Sequence, residues 1–126
     1  MPRDQPPAVL HEWELLALFQ AVPLGIAVID RSLRFVHLNE RLAAMNATTV
    51  ESAVGRTVDV VLPHVADILR PLIARVFETG DTLRKTALTG PLAAQAGPGW
   101  MHVEADYHPL RDERGEIARM LVMVRD

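Results

Sequence analysis

The run with most chemistry to offer is Trp-Met-His-Val-Glu-Ala-Asp-Tyr-His at residues 100–108. A strand sends alternate side chains to opposite faces, so Trp100, His102, Glu104, Asp106 and His108 share one face. Met101, Val103, Ala105 and Tyr107 take the other. Imidazoles alternating with carboxylates suit a divalent metal or a change of charge between about pH 6 and 7. The wet face of a half-buried antiparallel strand shows the same alternation, and that plainer reading outweighs a metal site. A third reading brings Glu12 and Glu14 of an N-terminal helix against the stripe as a pH-sensitive contact. Catalysis finds little support. The chain has no cysteine and no glycine-rich phosphate loop. Ser32 sits in a turn and Ser52 in an irregular stretch, neither in a nucleophile's setting. Acid–base work also needs a pocket, which an open strand face does not supply. The expectation is a protein without catalysis of its own.

The elements that must position these residues begin at the C-terminal end. A second alternating run, Glu-Ile-Ala-Arg-Met-Leu-Val-Met-Val at 116–124, follows the turn Arg-Asp-Glu-Arg-Gly at 111–115. Asp112 can bond to the backbone just ahead and Gly115 reaches positive φ cheaply, so the two runs form one hairpin. Upstream, Leu24–Asp30 and Leu33–Leu38 are two short strands joined through Asp30-Arg31-Ser32. Asn39 reads as the N-cap of a helix Glu40–Met45. Short helical turns follow around Val50–Val54 and Val58–Val61. A longer helix runs from Pro63 or His64 to Glu78, kinked or restarted at Pro71, with Gly80 as its C-cap. Thr82–Thr89 is a third strand, and residues 90–99, rich in Gly, Pro and Ala, make an irregular connection. Residues 1–7 hold three prolines and read as a disordered leader or linker. Residues 8–22 read as a helix ended by Pro23 and apolar nearly all round in its second half. Such a helix needs cover on two sides.

With 126 residues the chain makes one domain, and 49% hydrophobic with 23% charged residues is globular composition. A net charge of −3 argues against nucleic acid as a partner. Twelve arginines against the single Lys85 fit coding bias better than anion recognition. No apolar stretch approaches the roughly 18 residues a membrane span needs, and the N-terminus lacks a secretion signal. A cytoplasmic domain is the expectation. The last strand's abutting Asp126 suggests an excised module or a very short protein.

Helix, two strands, a helical insert and three strands is the layout of PAS domains, and four segments carry the resemblance. Pro23–Asp30 with Leu33–Asn39 resembles the family's opening hairpin and the Asn that starts its first core helix. Gly55-Arg-Thr-Val-Asp-Val-Val-Leu-Pro63 is similar to the lead into the long helix, and Val76-Phe-Glu-Thr-Gly-Asp-Thr82 to that helix's end. Trp100–Asp126 resembles the last two strands. The resemblance implies an α+β fold: a five-stranded antiparallel sheet of order 2-1-5-4-3, helices on one face, and an N-terminal flanking helix. Residues 23–126 would be the core.

It also implies a pocket between sheet and helices, with Ile26, Val28, Phe35, Met45, Leu62, Ile68, Leu72, Met101, Val103, Met120 and Val122 as candidate lining. The three methionines would make an adaptable wall, or the same residues simply fill a core at normal density. Cysteine-linked flavins and chromophores are excluded by the lack of cysteine. Haem has only His64 as a candidate axial ligand, and non-covalent flavin only Trp100 and Asn39 as weak partners, so both are disfavoured. The implied function is sensory: a small organic ligand or a partner shifts packing and an output domain, in the same or another chain, reads it. Homodimerisation would run through the N-terminal helix, with Val9, Trp13, Leu16 and Phe19 at the interface. A ligand-free protein-interaction domain is the alternative.

Overall fold

The computed structural model describes residues 11–125. The leader at 1–7 and Val9 therefore lie outside the described residues. Helix α1 (Glu12–Ala21) is followed by strands β1 (Gly25–Asp30) and β2 (Phe35–Leu38). Three short helices follow, α2 (Glu40–Met45), α3 (Val50–Ala53) and α4 (Val58–Val61), then the longer α5 (Ala66–Thr79). The chain closes with β3 (Leu83–Pro91), β4 (Trp100–Arg111) and β5 (Ile117–Arg125).

The strands form one sheet in the order β2-β1-β5-β4-β3, each neighbouring pair antiparallel. This is the order that the resemblance implies. The first and last strands lie together at the centre, with Ala27 opposite Val122 and Val28 opposite Leu121. The closing hairpin turns as its residues require. Asp112 Oδ1 accepts the N–H groups of Arg114 and Glu116 at 2.9 and 3.1 Å, and Gly115 takes φ +81°. Asp30 makes the same kind of turn in the first hairpin, accepting from Ser32 and Arg34.

Helix α5 buries Ala66, Leu69, Ile73 and Val76, a stripe at three- and four-residue spacing laid along the sheet's inner face. It runs on through Pro71, whose missing N–H leaves one carbonyl a turn earlier without its usual partner. Gly80, left-handed at φ +74°, ends it. The core lies between this helical insert and the inner face, where Ala27, Ile29, Phe35, Ala105, Tyr107, Met120, Val122 and Val124 are buried. Helix α1 crosses the opposite, outer face and has no buried residue.

Candidate functional site

A partly enclosed space remains between the inner face and the insert. It measures about 40 Å³, and its wall comes from β1, β2, α2, α5 and the three C-terminal strands. Roughly 10–15 Å³ admits one water by this measure, so the space holds about three water-sized groups. Six of the expected lining residues are there: Phe35, Met45, Leu62, Met101, Val103 and Val122. Five are not. Ile26 and Val28 alternate with Ala27 and Ile29 and so turn to the other face, where Val28 lines a groove beneath α1. Bulk is a poor guide in this central strand because both of its faces are covered. Ile68 is exposed at the flank of α5, and Leu72 packs against the core beside the cavity without lining it. Met120 is fully buried on the inner face but away from the opening.

The residues missing from the expected set are instructive. Tyr107 shares a face with Met101 and Val103 by simple alternation, so period two was enough to find it. Asn46 follows the last residue of α2, and no pattern in the sequence marks it as part of a wall. These two are the lining residues with an oxygen or nitrogen in the side chain. Tyr107 is 1% exposed, and its hydroxyl has no hydrogen-bond partner among the described residues. Burial pushes its pKa up to about 12, so it keeps its proton. Asn46 Nδ2 donates to the Leu42 carbonyl at 3.1 Å, while its Oδ1 lies 3.1 Å from His64 Nε2. Gln95 reaches the adjacent backbone, donating to the Ala47 carbonyl at 3.2 Å.

His64, the candidate haem ligand, does not line the cavity; its Nε2 is directed to Asn46 instead. Burial lowers its pKa. Asn39, a suggested flavin partner, has its side chain filled by backbone. Its Oδ1 accepts from Ile26 and Leu42 at 2.9 and 3.0 Å, and its Nδ2 donates to the carbonyls of Phe19 and Leu24 at 3.0 and 2.9 Å. Trp100 is 66% exposed and lies outside the cavity lining.

The stripe on β4 faces outward as alternation predicts, and its two carboxylates are taken up by neighbouring strands, while His108 Nε2 is buried without a hydrogen-bond partner among the described residues. Arg125 donates to Glu104 at 3.0 Å and to Asp106 at 2.8 Å. Asp106 also accepts the Lys85 N–H at 2.7 Å, where β3 bulges and Lys85 stands at φ +50°. That backbone hydrogen bond first, and the Arg125 side chain second, hold the Asp106 carboxyl below its usual pKa. His102 Nδ1 lies 3.3 Å from Thr89 Oγ1. Glu12 lines the groove over β1, β2 and Leu121, and Glu14 accepts the His11 N–H at 3.0 Å, so no contact between these acids and the stripe is seen.

The outer groove is larger, about 570 Å³, and open. Leu15, Leu16 and Phe19 of α1 form one side; Val28, Val36, Leu121 and the α3 residue Val50 contribute the other. Phe19 meets the His37 ring edge-on at 6.3 Å. Of the expected interface residues, Trp13 is 69% exposed, Leu16 is exposed and Phe19 is half-buried. No described helix is long and apolar enough to cross a membrane.

No curated protein matches the sequence significantly. Among solved structures, VqmA of Vibrio cholerae in a ligand–DNA complex superposes with a TM-score of 0.77 at 21% identity, over 93% of this chain and 52% of VqmA. A sensory box sensor histidine kinase from the same organism gives 0.68 at 17%, covering 89% of this chain and 88% of that one. An RNA-binding light-oxygen-voltage receptor gives 0.76 at 16%, over 100% of this chain and 35% of the receptor. The chain thus spans about half the length of VqmA and a third of the receptor. The expectation that nucleic acid is no partner is corrected here. Net charge describes only the chain given, whereas the same fold occurs within longer proteins found in a DNA complex or described as RNA-binding. The family model described as PAS fold matches residues 19–126. With that match, and the sheet order to go with it, the chain belongs to the PAS fold family.

Proposed function

We propose that the chain is a sensory, non-catalytic PAS module that takes a small organic ligand into the inner cavity and passes the event to an output domain through α1. The observation that carries this reading is the apolar cavity between the sheet's inner face and the helical insert, with Asn46 and Tyr107 among its lining residues. A phenol held protonated well above neutral pH and an amide are groups for binding rather than for proton transfer. Space for about three water-sized groups favours a small molecule over haem or flavin, either of which would force the insert away from the sheet.

Coupling has a short path. Leu42, Met45 and Asn46 form the α2 side of the cavity, and Asn39 both caps α2 and holds the Phe19 carbonyl in the last turn of α1. A ligand that moves α2 works against α1 through one side chain. For a signal to result, the ligand must bind the two arrangements with different affinity, since equal binding shifts nothing. The exposed Trp13 and Leu16 support a homodimer that pairs α1 with its copy. The nucleic-acid-binding relatives make such a domain a suitable output.

Native mass spectrometry and an absorption spectrum of freshly purified protein test the reading, with Val103→Phe as the filled-cavity control. A small bound mass in the wild type that Val103→Phe lacks supports it. A haem or flavin spectrum replaces the ligand class. The small size of the cavity favours one second reading, a protein-interaction domain with a filled core, and the absence of any bound mass at saturating small-molecule concentrations would select it.

A further inference from the structure

The wall of the inner cavity is buried except at Met45, Met101 and Val103, which are partly exposed. The opening therefore lies between the end of α2 and the start of β4. The connection from β3 to β4 crosses that gap. Met45 immediately precedes Asn46 at the end of α2, and Met101 follows Gly99 and Trp100 where the connection ends. Within Leu-Ala-Ala-Gln-Ala-Gly-Pro-Gly at 92–99, Gln95 alone carries a polar side chain. That side chain reaches across the gap: its Nε2 donates to the Ala47 carbonyl at 3.2 Å and lies 3.5 Å from that of Asn46.

The two sides of this contact differ in how firmly they are held. The base of the connection is pinned by the Leu92 N–H, which donates to the Gly99 carbonyl at 3.0 Å, and by the buried Ala93. Beyond that anchor every residue from Ala94 to Gly99 is exposed. Ala94–Ala96 make one 3₁₀ turn, and Gly97 and Gly99 stand at φ +91° and +134°, conformations that favour glycine. The landing site is fixed instead. Asn46 Nδ2 donates to the Leu42 carbonyl at 3.1 Å, and the Thr48 N–H donates to the Ala43 carbonyl at 2.9 Å. An arm with few buried contacts, held at its tip by one exposed side chain, belongs to the part of a fold that opens most easily.

We infer that residues 92–99 are the door of the inner cavity and that Gln95 is its latch, an inference that rests on the sensory reading above. With the Gln95 contact broken, the arm lifts from the end of α2 and uncovers Met45 and Met101. A ligand enters and leaves by the same path, so loss of the latch speeds both directions alike and leaves affinity unchanged. One exposed neutral hydrogen bond is worth a modest factor, about fivefold in the open population.

Xenon is the probe, a single apolar atom of the kind that dry apolar cavities bind. Saturation-transfer NMR reads its entry and exit rates, and the ε-methyl shifts of Met45 and Met101 read occupancy. Gln95→Ala should raise both rates about fivefold, with affinity within about twofold of the wild type. Thr79→Ala removes another exposed hydrogen bond, at the far end of α5, and should change neither rate. Unchanged rates in Gln95→Ala overturn the latch while the small-ligand reading stands. A loss of affinity at an unchanged entry rate makes Gln95 part of the wall and overturns it as well. Equal acceleration by Thr79→Ala assigns entry to general loosening of the fold, with the same consequence. If xenon shifts no cavity methyl in either the wild type or Gln95→Ala, the sensory reading itself fails, and this inference with it.

Discussion

The two faces of the sheet carry two hollows of opposite character. Beneath the insert lies a small, more enclosed space of about 40 Å³; beneath α1 lies a more open groove of about 570 Å³. Size alone would choose the groove. Enclosure favours the cavity under the proposed reading, since a small molecule is held by burial on most of its surface and by a few placed polar groups. An open apolar trough bounded by an exposed helix suits protein instead, because only a large partner can cover it. The faces are linked at Asn39, whose side chain is 0% exposed and bonded to backbone from both. A sensory domain needs an inside that selects and an outside that reports, and here one strand thickness separates them.

Asn39→Ala is expected to break that comparison most severely. It leaves two buried N–H groups and two carbonyls without their partner, and a loss of about 3 kcal/mol in urea denaturation is expected. Amide exchange in α1 should rise beyond what the global loss explains. Asp106→Asn acts on the outer face alone. Removing the charge that Lys85 N–H and Arg125 engage should cost about 2 kcal/mol at pH 7. Because the folded pKa of Asp106 is depressed, its contribution is present above the ordinary carboxylate range and disappears as pH falls through the lowered value. Wild type and variant should therefore converge in stability only well below the ordinary carboxylate range.

Leu16→Glu should weaken self-association about tenfold or more by sedimentation, and, because coupling is reciprocal, should shift small-molecule affinity by the factor by which the ligand shifts self-association. If neither quantity responds to the other, the two faces are not coupled. The smallest effect belongs to His64. Burial lowers its pKa, so the folded protein prefers the neutral ring, and stability declines as pH falls below about 6.5. His64→Gln should flatten the slope between pH 7 and 5 by less than about 1 kcal/mol.

Most of the fold was legible in the sequence because its punctuation is strong. Asp112 with Gly115, Asn39, Pro23 and Gly80 each mark a boundary found in the structure within a few residues. The inner face of β4 was legible too, since Met101, Val103 and Tyr107 alternate with charged neighbours. The face of β1 was not. In Gly-Ile-Ala-Val-Ile-Asp both faces are apolar, the small Ala27 lines the cavity, and the larger Ile26 and Val28 lie opposite. Helix α5 misled in a related way. Ile68 and Leu69 are adjacent and similar, and only the packing of Leu69 with Ile73 against the sheet decides between them. Asn46 and the use of Asn39 for tying helices together depend on contacts across 13 to 20 residues of chain that periodicity does not report.

The claim at the centre is that the inner hollow, and not the larger outer one, admits the ligand. Methyl NMR of the wild type titrated with a small neutral organic probe such as 2-butanone separates them directly. Shifts concentrated at Leu42, Val103 and Val122, with Leu15, Val36 and Leu121 still, are the result expected from the geometry. Shifts confined to the second group would contradict it and move the ligand site to the groove beneath α1.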